Sequence, residues 1–145
     1  MEQVLKEVKL NLDMAIKESQ AQIKWGKLPT VKGDHHQMVQ LLQNLIGNSL
    51  KFTAEGRLPV IEFSVKEEKD YLLFTVSDNG IGIKSEYLEK IFVIFQRLHT
   101  RTKYPGNGIG LALCKRIVER HGGKIWCESV PNEGTTFHFT LPKVS

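Results

Sequence analysis

A single α/β domain is the fold class this sequence predicts, and three observations carry it. Apolar side chains recur at helical spacing in Val4–Ile16 and again in Met38–Phe52. Four short runs alternate apolar and polar residues as half-buried strands do: 60–66, 71–78, 124–129 and 135–141. A chain of 145 residues is long enough for one core of ordinary density and too short for two domains of usual size.

Composition narrows the class of function. With 41% hydrophobic and 25% charged residues the chain reads as globular, neither disordered nor membrane-embedded. Glu2, Lys6, Glu7, Lys9 and Asp13 interrupt any signal-peptide core, and no run of about eighteen apolar residues occurs. A cytoplasmic domain is expected. The net charge of +4 is modest, and Lys and Arg are dispersed except for Arg97, Arg101 and Lys103 in one segment. That pattern argues against a nucleic-acid face and for a small anionic ligand. Cys114 and Cys127 have neither metal-ligand nor redox spacing and are expected to be reduced packing residues.

In chain order, Val4, Leu5, Val8, Leu12, Ala15 and Ile16 predict an amphipathic helix running to about Ser19, followed by a short strand at Gln22–Trp25. Gly26 to Gly33 reads as a loop, and Asp34 is placed to cap the next helix, His36 to about Thr53. On that helix Met38, Leu41, Leu42, Leu45, Ile46, Ser49 and Phe52 cover one broad side. A hairpin follows, Val60–Lys66 with Tyr71–Asp78, turned by Glu67-Glu68-Lys69-Asp70. A short helix is predicted over Ser85 to about Ile91. Gln96 to Asn107 then shows no periodicity, and a structureless stretch of that length reads as a mobile lid over about 96–108. A last helix brings Leu113, Cys114, Ile117 and Val118 inward and stops at Gly122-Gly123, and two strands joined by Pro131-Asn132-Glu133-Gly134 close the chain.

Three features carry chemistry. Alternation along Leu72, Phe74, Val76 and Asp78 aims a carboxylate into the apolar layer, which is costly unless a buried structural partner or a ligand donates hydrogen bonds to it. Gly80 and Gly82 follow, suited to a tight turn or to a backbone that hugs a ligand. Gln37, Gln40, Asn44, Asn48 and Lys51 form a second stripe on the 36–53 helix, either an ordinary polar face or a coordinating one. A neutral Asn oxygen suits Mg²⁺ already bound to phosphate and water, and a Lys one turn on neutralises phosphate, which makes Asn48 and Lys51 candidates. Gly106-Asn107-Gly108-Ile109-Gly110 runs into a helix start and is either an anion site or a hinge. Neither a P-loop nor a dinucleotide-binding glycine pattern is present.

Five segments in this order resemble the ATP-binding catalytic domain of sensor histidine kinases, in the superfamily that includes gyrase, heat-shock chaperone ATPases and mismatch-repair ATPases. They are Asn44-Leu-Ile-Gly-Asn48-Ser-Leu-Lys51-Phe-Thr; Asp78-Asn-Gly-Ile-Gly82; Ile91-Phe-x-x-Phe95-Gln-Arg97; Gly106-Asn-Gly-Ile-Gly110-Leu; and Gly122-Gly-Lys-Ile with Gly134-Thr-Thr-Phe137. The spacing around Phe95-Gln96-Arg97-Leu98 is most similar to the phytochrome type. The resemblance covers nearly the whole chain, so residues 1–145 are expected to be one catalytic and ATP-binding domain.

It implies a Bergerat-type two-layer α/β sandwich, a mixed, mostly antiparallel sheet covered on one face by about three helices, with ATP between the Asn helix and the lid. Asp78 would accept from the adenine exocyclic amine, where guanine presents a carbonyl. Gly80 and Gly82 would let the base approach, and Thr135 would assist around it. Asn48 would hold Mg²⁺; Lys51, Arg97 and Lys103 would meet phosphates; Gly106, Gly108 and Gly110 would close over the phosphate tail; Phe52 and Leu111 complete the cofactor-binding set. Four positions depart from the common pattern: Ser49 for Ala, Asn107 for Thr, and Val93-Ile94 for an acidic residue and Pro. Asn44 stands where hydrolytic relatives carry a Glu that activates water, and an amide cannot take a proton at neutral pH. Slow hydrolysis by this chain alone is therefore predicted, with Asn44, Asn48, Lys51 and Arg97 as the catalytic set.

The resemblance further implies partners: a phosphoacceptor His on a dimerisation domain of the same parent, absent from this sequence, and then a response regulator, with no nucleic acid and no direct membrane contact by this domain, whether or not the parent is membrane-anchored. His35 and His36 read as capping-region residues, and His99, His121 and His138 lack metal or triad spacing. Two other functions fit the same residues less well: a nucleotide-binding regulatory module without transfer, and a serine kinase of the anti-sigma type.

Overall fold

The computed structural model describes residues 1–29, 31, 33–51, 56–82 and 108–143, with the side chains of Lys51 and of 108–110 outside that description. The described elements are α1 (Glu2–Asn11), α2 (Asp13–Ser19), β1 (Gln22–Trp25), α3 (His35–Lys51), β2 (Val60–Glu67), β3 (Tyr71–Asp78), α4 (Gly108–Arg120), β4 (Ile125–Val130) and β5 (Gly134–Pro142). The predicted Ser85–Ile91 helix and the lid fall outside the described residues.

Period-two sequences became the sheet. Five strands run in the order β1-β2-β3-β5-β4. β1 lies parallel to β2, and the remaining pairs are antiparallel, so the sheet is mixed and mostly antiparallel as expected. Its inward side chains Ile61, Phe63, Leu72, Phe74, Val76, Phe137, Phe139 and Leu141 are buried beneath the helices. Phe74 is the hub, stacked on Phe139 with centroids 5.0 Å apart and tilted against Phe63 at 5.7 Å. Opposite residues of β2 and β3, such as Glu62 and Ser77, point outward, so one face is covered and the other meets solvent.

The helices supply the second layer. Met38, Leu41, Leu42, Leu45 and Ile46 of α3 are essentially inaccessible, and Cys114, Ile117 and Val118 of α4 join them, as do Val4, Leu5 and Val8 of α1. Asp34 caps α3 as expected, its Oδ1 accepting the Gln37 N–H at 3.0 Å. His35 pairs with Glu7 of α1 at 2.6 Å, and His121 joins the end of α4 to the start of α3, donating to the Ile117 carbonyl and accepting from the Asp34 N–H.

One expectation is corrected. The sequence predicts a single helix to about Ser19, whereas Leu12, with φ −103 and ψ 11, divides it into α1 and α2. Hydrogen bonds continue through the break, from Leu12 N–H to Val8 and from Ile16 N–H to Leu12, so one residue redirects the helix without unwinding it. With α1 and α2 counted separately the described helices number four, in keeping with the expected layer of about three main helices on one face of the sheet. Both cysteines are free, and burial pushes the Cys114 and Cys127 thiols up to about 12, consistent with packing residues. No described helix is long and apolar enough to cross a membrane.

Candidate functional site

The site is built where β3 ends under α3. Pleating sends Asp78, opposite Ile61 of β2, to the helix side of the sheet. Its carboxylate is met by neutral donors from three segments. Ser49 Oγ on α3 donates to Oδ2 at 2.8 Å, while Oδ1 accepts the Gly80 N–H at 2.9 Å and the Thr135 N–H of β5 at 3.2 Å. Burial raises the carboxyl above its ordinary range, and the bonds from Gly80, Ser49 and Thr135 oppose that rise. Among the described residues no cation pairs with it. The acid thus has the structural partners that the sequence left as one of two alternatives.

The surrounding turn is held firmly. Asn79 Oδ1 accepts the Val60 N–H at 2.9 Å, and its amide donates to the Leu58 carbonyl at 3.0 Å, binding the turn to the start of β2. Gly82 has φ +77, and a Cβ there would collide with the Val130 carbonyl. Close packing against the β4–β5 turn therefore already demands a glycine, whatever the turn also does for a ligand. Gly134, φ +141, likewise lets β5 start against the Asp78 backbone. Thr135, whose N–H meets the carboxylate, is buried, and its hydroxyl shares a hydrogen bond with that of Ser129 on β4 at 3.0 Å.

The amide stripe lies one helical step around α3 from Ser49. Asn44 and Asn48, four residues apart on one face, are half-buried, and Gln40 is exposed. No described residue hydrogen-bonds the Asn44 or Asn48 side chain. Asn44 also lines a groove of about 280 Å³ between α1 and α3 with Glu7, Asn11, His36, Gln40 and Gln43. That groove excludes both Asp78 and Asn48, so it is a seam between helices and not the cleft the motifs describe.

Of the sequence-predicted site residues, hydrogen bonds bring Asp78, Gly80 and Thr135 together. Gly82 belongs to the same turn, and Gly108, Gly110 and the half-buried Leu111 open α4. Phe52, Arg97, Lys103 and Gly106, with the Lys51 side chain, fall outside the described residues. Ser49 is what the sequence reading undervalued. The signal was present: a lone hydroxyl in an inward apolar stripe opposite a strand that carries an inward acid.

Comparison with known proteins gives a consistent set of relatives. Residues 33–145 match the family described as Histidine kinase-, DNA gyrase B-, and HSP90-like ATPase. Phytochrome-like protein Cph1 of Synechocystis sp. is 47% identical over 142 residues, 98% of this chain, and the chain spans only 19% of that protein's length. The catalytic domain of histidine kinase ThkA superposes with a TM-score of 0.80 at 30% identity, covering 99% of this chain and 92% of that one. ThkA has also been solved in complex with response regulator protein TrrA (TM-score 0.76, 26% identity, 99% of this chain and 40% of that one). Full-length ShkA, in complex with AMPPNP, gives a TM-score of 0.81 at 25% identity over 99% of this chain and 30% of that one.

Proposed function

The chain belongs to the histidine kinase-, DNA gyrase B- and HSP90-like ATPase family, and from that premise we propose that it binds Mg-ATP as the catalytic domain of a two-component sensor histidine kinase. Residues 1–145 form one catalytic and ATP-binding domain that passes the γ-phosphate to a His imidazole on a dimerisation domain of the parent protein. A response regulator receives it next. The domain works in the cytoplasm. The observation that carries the reading is the Asp78 carboxylate, half-buried under α3, with three donors on its oxygens among the described residues and one acceptor position left beside them for an adenine amine.

Each remaining role follows from chemistry at a named position. Asp78 selects adenine, because a guanine carbonyl would set lone pair against lone pair. Thr135 holds the carboxylate through its N–H and supports the base. Asn48 fits Mg²⁺: its side chain offers a neutral oxygen that no described residue engages, on the face of α3 next to the Asp78 corner. When bound, Mg²⁺ neutralises and orients the phosphate oxygens. Lys51, Arg97 and Lys103 spread further positive charge along the phosphates, Gly106, Gly108 and Gly110 bring backbone N–H groups to the tail, and Phe52 and Leu111 flank the nucleotide. Asn44, an amide, takes no proton from water and leaves hydrolysis slow, so transfer waits for a nucleophile supplied by the partner. The ShkA complex with AMPPNP and the ThkA complex with a regulator support the ligand and partner classes.

Calorimetric titration with a non-hydrolysable ATP analogue, with and without magnesium, tests the ligand. Magnesium-dependent binding of the adenine analogue and not of its guanine counterpart is expected. Labelled ATP with a phosphoacceptor hairpin added in trans tests the transfer, and the label must appear as acid-labile phosphohistidine; acid-stable phosphoserine would instead mark an anti-sigma-type kinase.

A further inference from the structure

A carboxylate offers about four in-plane acceptor positions, two on each oxygen. On Asp78, Oδ1 receives two N–H groups, from Gly80 and Thr135, and Oδ2 receives the Ser49 hydroxyl. The three donors come from a turn, a strand and a helix, so the carboxylate plane cannot rotate without breaking one of them. Ser49 has a single proton and two acceptors in reach, the Leu45 carbonyl at 3.3 Å and Asp78 Oδ2 at 2.8 Å. The shorter bond to the charged oxygen takes it. At 2% exposure Ser49 has little room for water to replace its hydroxyl.

We propose that Ser49 is a positioning residue for the nucleotide base: its hydroxyl holds one lone pair of Asp78 Oδ2, leaves a single acceptor of the carboxylate untouched by the described residues, and so fixes the direction from which an exocyclic amine is received. The inference rests on the adenine-nucleotide reading of the site. An Ala at this position would leave Oδ2 without the hydroxyl donor. Ser49 also stabilises the ionised acid against burial. The titratable group that faces the acid from a packed element, among the described residues, is the Cys127 thiol of β4, which stays protonated because it is pushed up to about 12.

The test compares the parent protein with Ser49→Ala and the near-isosteric Ser49→Cys, whose thiol is a weak donor. Carbon-13 NMR follows the Asp78 carboxyl in the ligand-free protein, and calorimetry measures a non-hydrolysable ATP analogue with magnesium, and its guanine counterpart, at about pH 8 and about pH 5.5. Expected is an Asp78 titration midpoint that climbs from Ser to Cys to Ala. Affinity for the adenine analogue should weaken about three- to tenfold in Ser49→Ala, more at the acid pH, with a smaller adenine-over-guanine preference. If Ser49→Ala does not fold, the Cys variant must still show the smaller shift in both readouts. An unchanged midpoint, or a shifted midpoint with unchanged affinity and base preference, overturns the role of Ser49 and leaves the adenine reading standing. Failure of the parent protein to bind the analogue overturns both.

Discussion

At the Asp78 corner both carboxylate oxygens are tied to distant parts of the chain, whereas one helical step away on α3 the Asn44 and Asn48 amides meet no described partner. The corner owes its geometry to folding: a helix, a turn and two strands must all be in place before the acid is correctly aimed. The stripe owes its geometry to one helix alone. Substitutions at the corner should therefore register in both stability and binding, and substitutions on the stripe in binding only.

The sharpest way to break this contrast is to remove the packing beneath the corner. Phe74→Ala, which empties the ring stack against Phe139 and Phe63, should cost about 3–5 kcal/mol in urea denaturation and take nucleotide binding with it. Gly82→Ala forces a side chain into a left-handed conformation and against the Val130 carbonyl, and should cost about 1–3 kcal/mol by the same measurement. A loss within experimental error would show that the turn can move away from β4.

Asp78→Asn separates the two currencies. Affinity for the ATP analogue should fall by about 1–3 kcal/mol in calorimetry, because the acceptor arrangement is broken. Stability should respond to pH in a defined direction. The folded acid sits above its ordinary value of 3.8, so over that interval the folded protein keeps a proton the unfolded chain has released. Its contribution to stability is greatest below the unfolded value and is lost as pH rises through the folded one. Urea midpoints should therefore show the parent gaining on the Asn variant as pH falls. The smallest stability effect is expected on the stripe: Asn48→Ala should leave unfolding within about 0.5 kcal/mol of the parent while removing the magnesium dependence of nucleotide binding. Equal magnesium sensitivity in the variant would move the metal site elsewhere.

Much of this was legible in the chain because local pattern and tertiary fate agree. The inward stripe of α3 from Met38 to Ser49, the inward aim of Asp78 and the Asp34 cap all follow from periods of 3.6 and 2 and from simple capping chemistry. The parallel pairing of β1 with β2 was not legible, since Gln22 and its partner Val60 are joined by no turn that could set a register. Nor was the break at Leu12, where no Gly or Pro signals it and the partly buried side chain packs against the core as an unbroken helix would also have it do. Gly82 was legible as a special position suited to a tight turn or to ligand approach, and packing against Val130 is by itself a sufficient cause for the glycine.

The Thr135 N–H has a consequence in time as well as in space. The groups that grip Asp78 lie at positions 49, 80 and 135, so the acid is correctly held only after the β4–β5 hairpin has been made. A nascent chain still carrying the β4–β5 hairpin inside the ribosome cannot complete this grip, and nucleotide binding should appear only when that hairpin emerges.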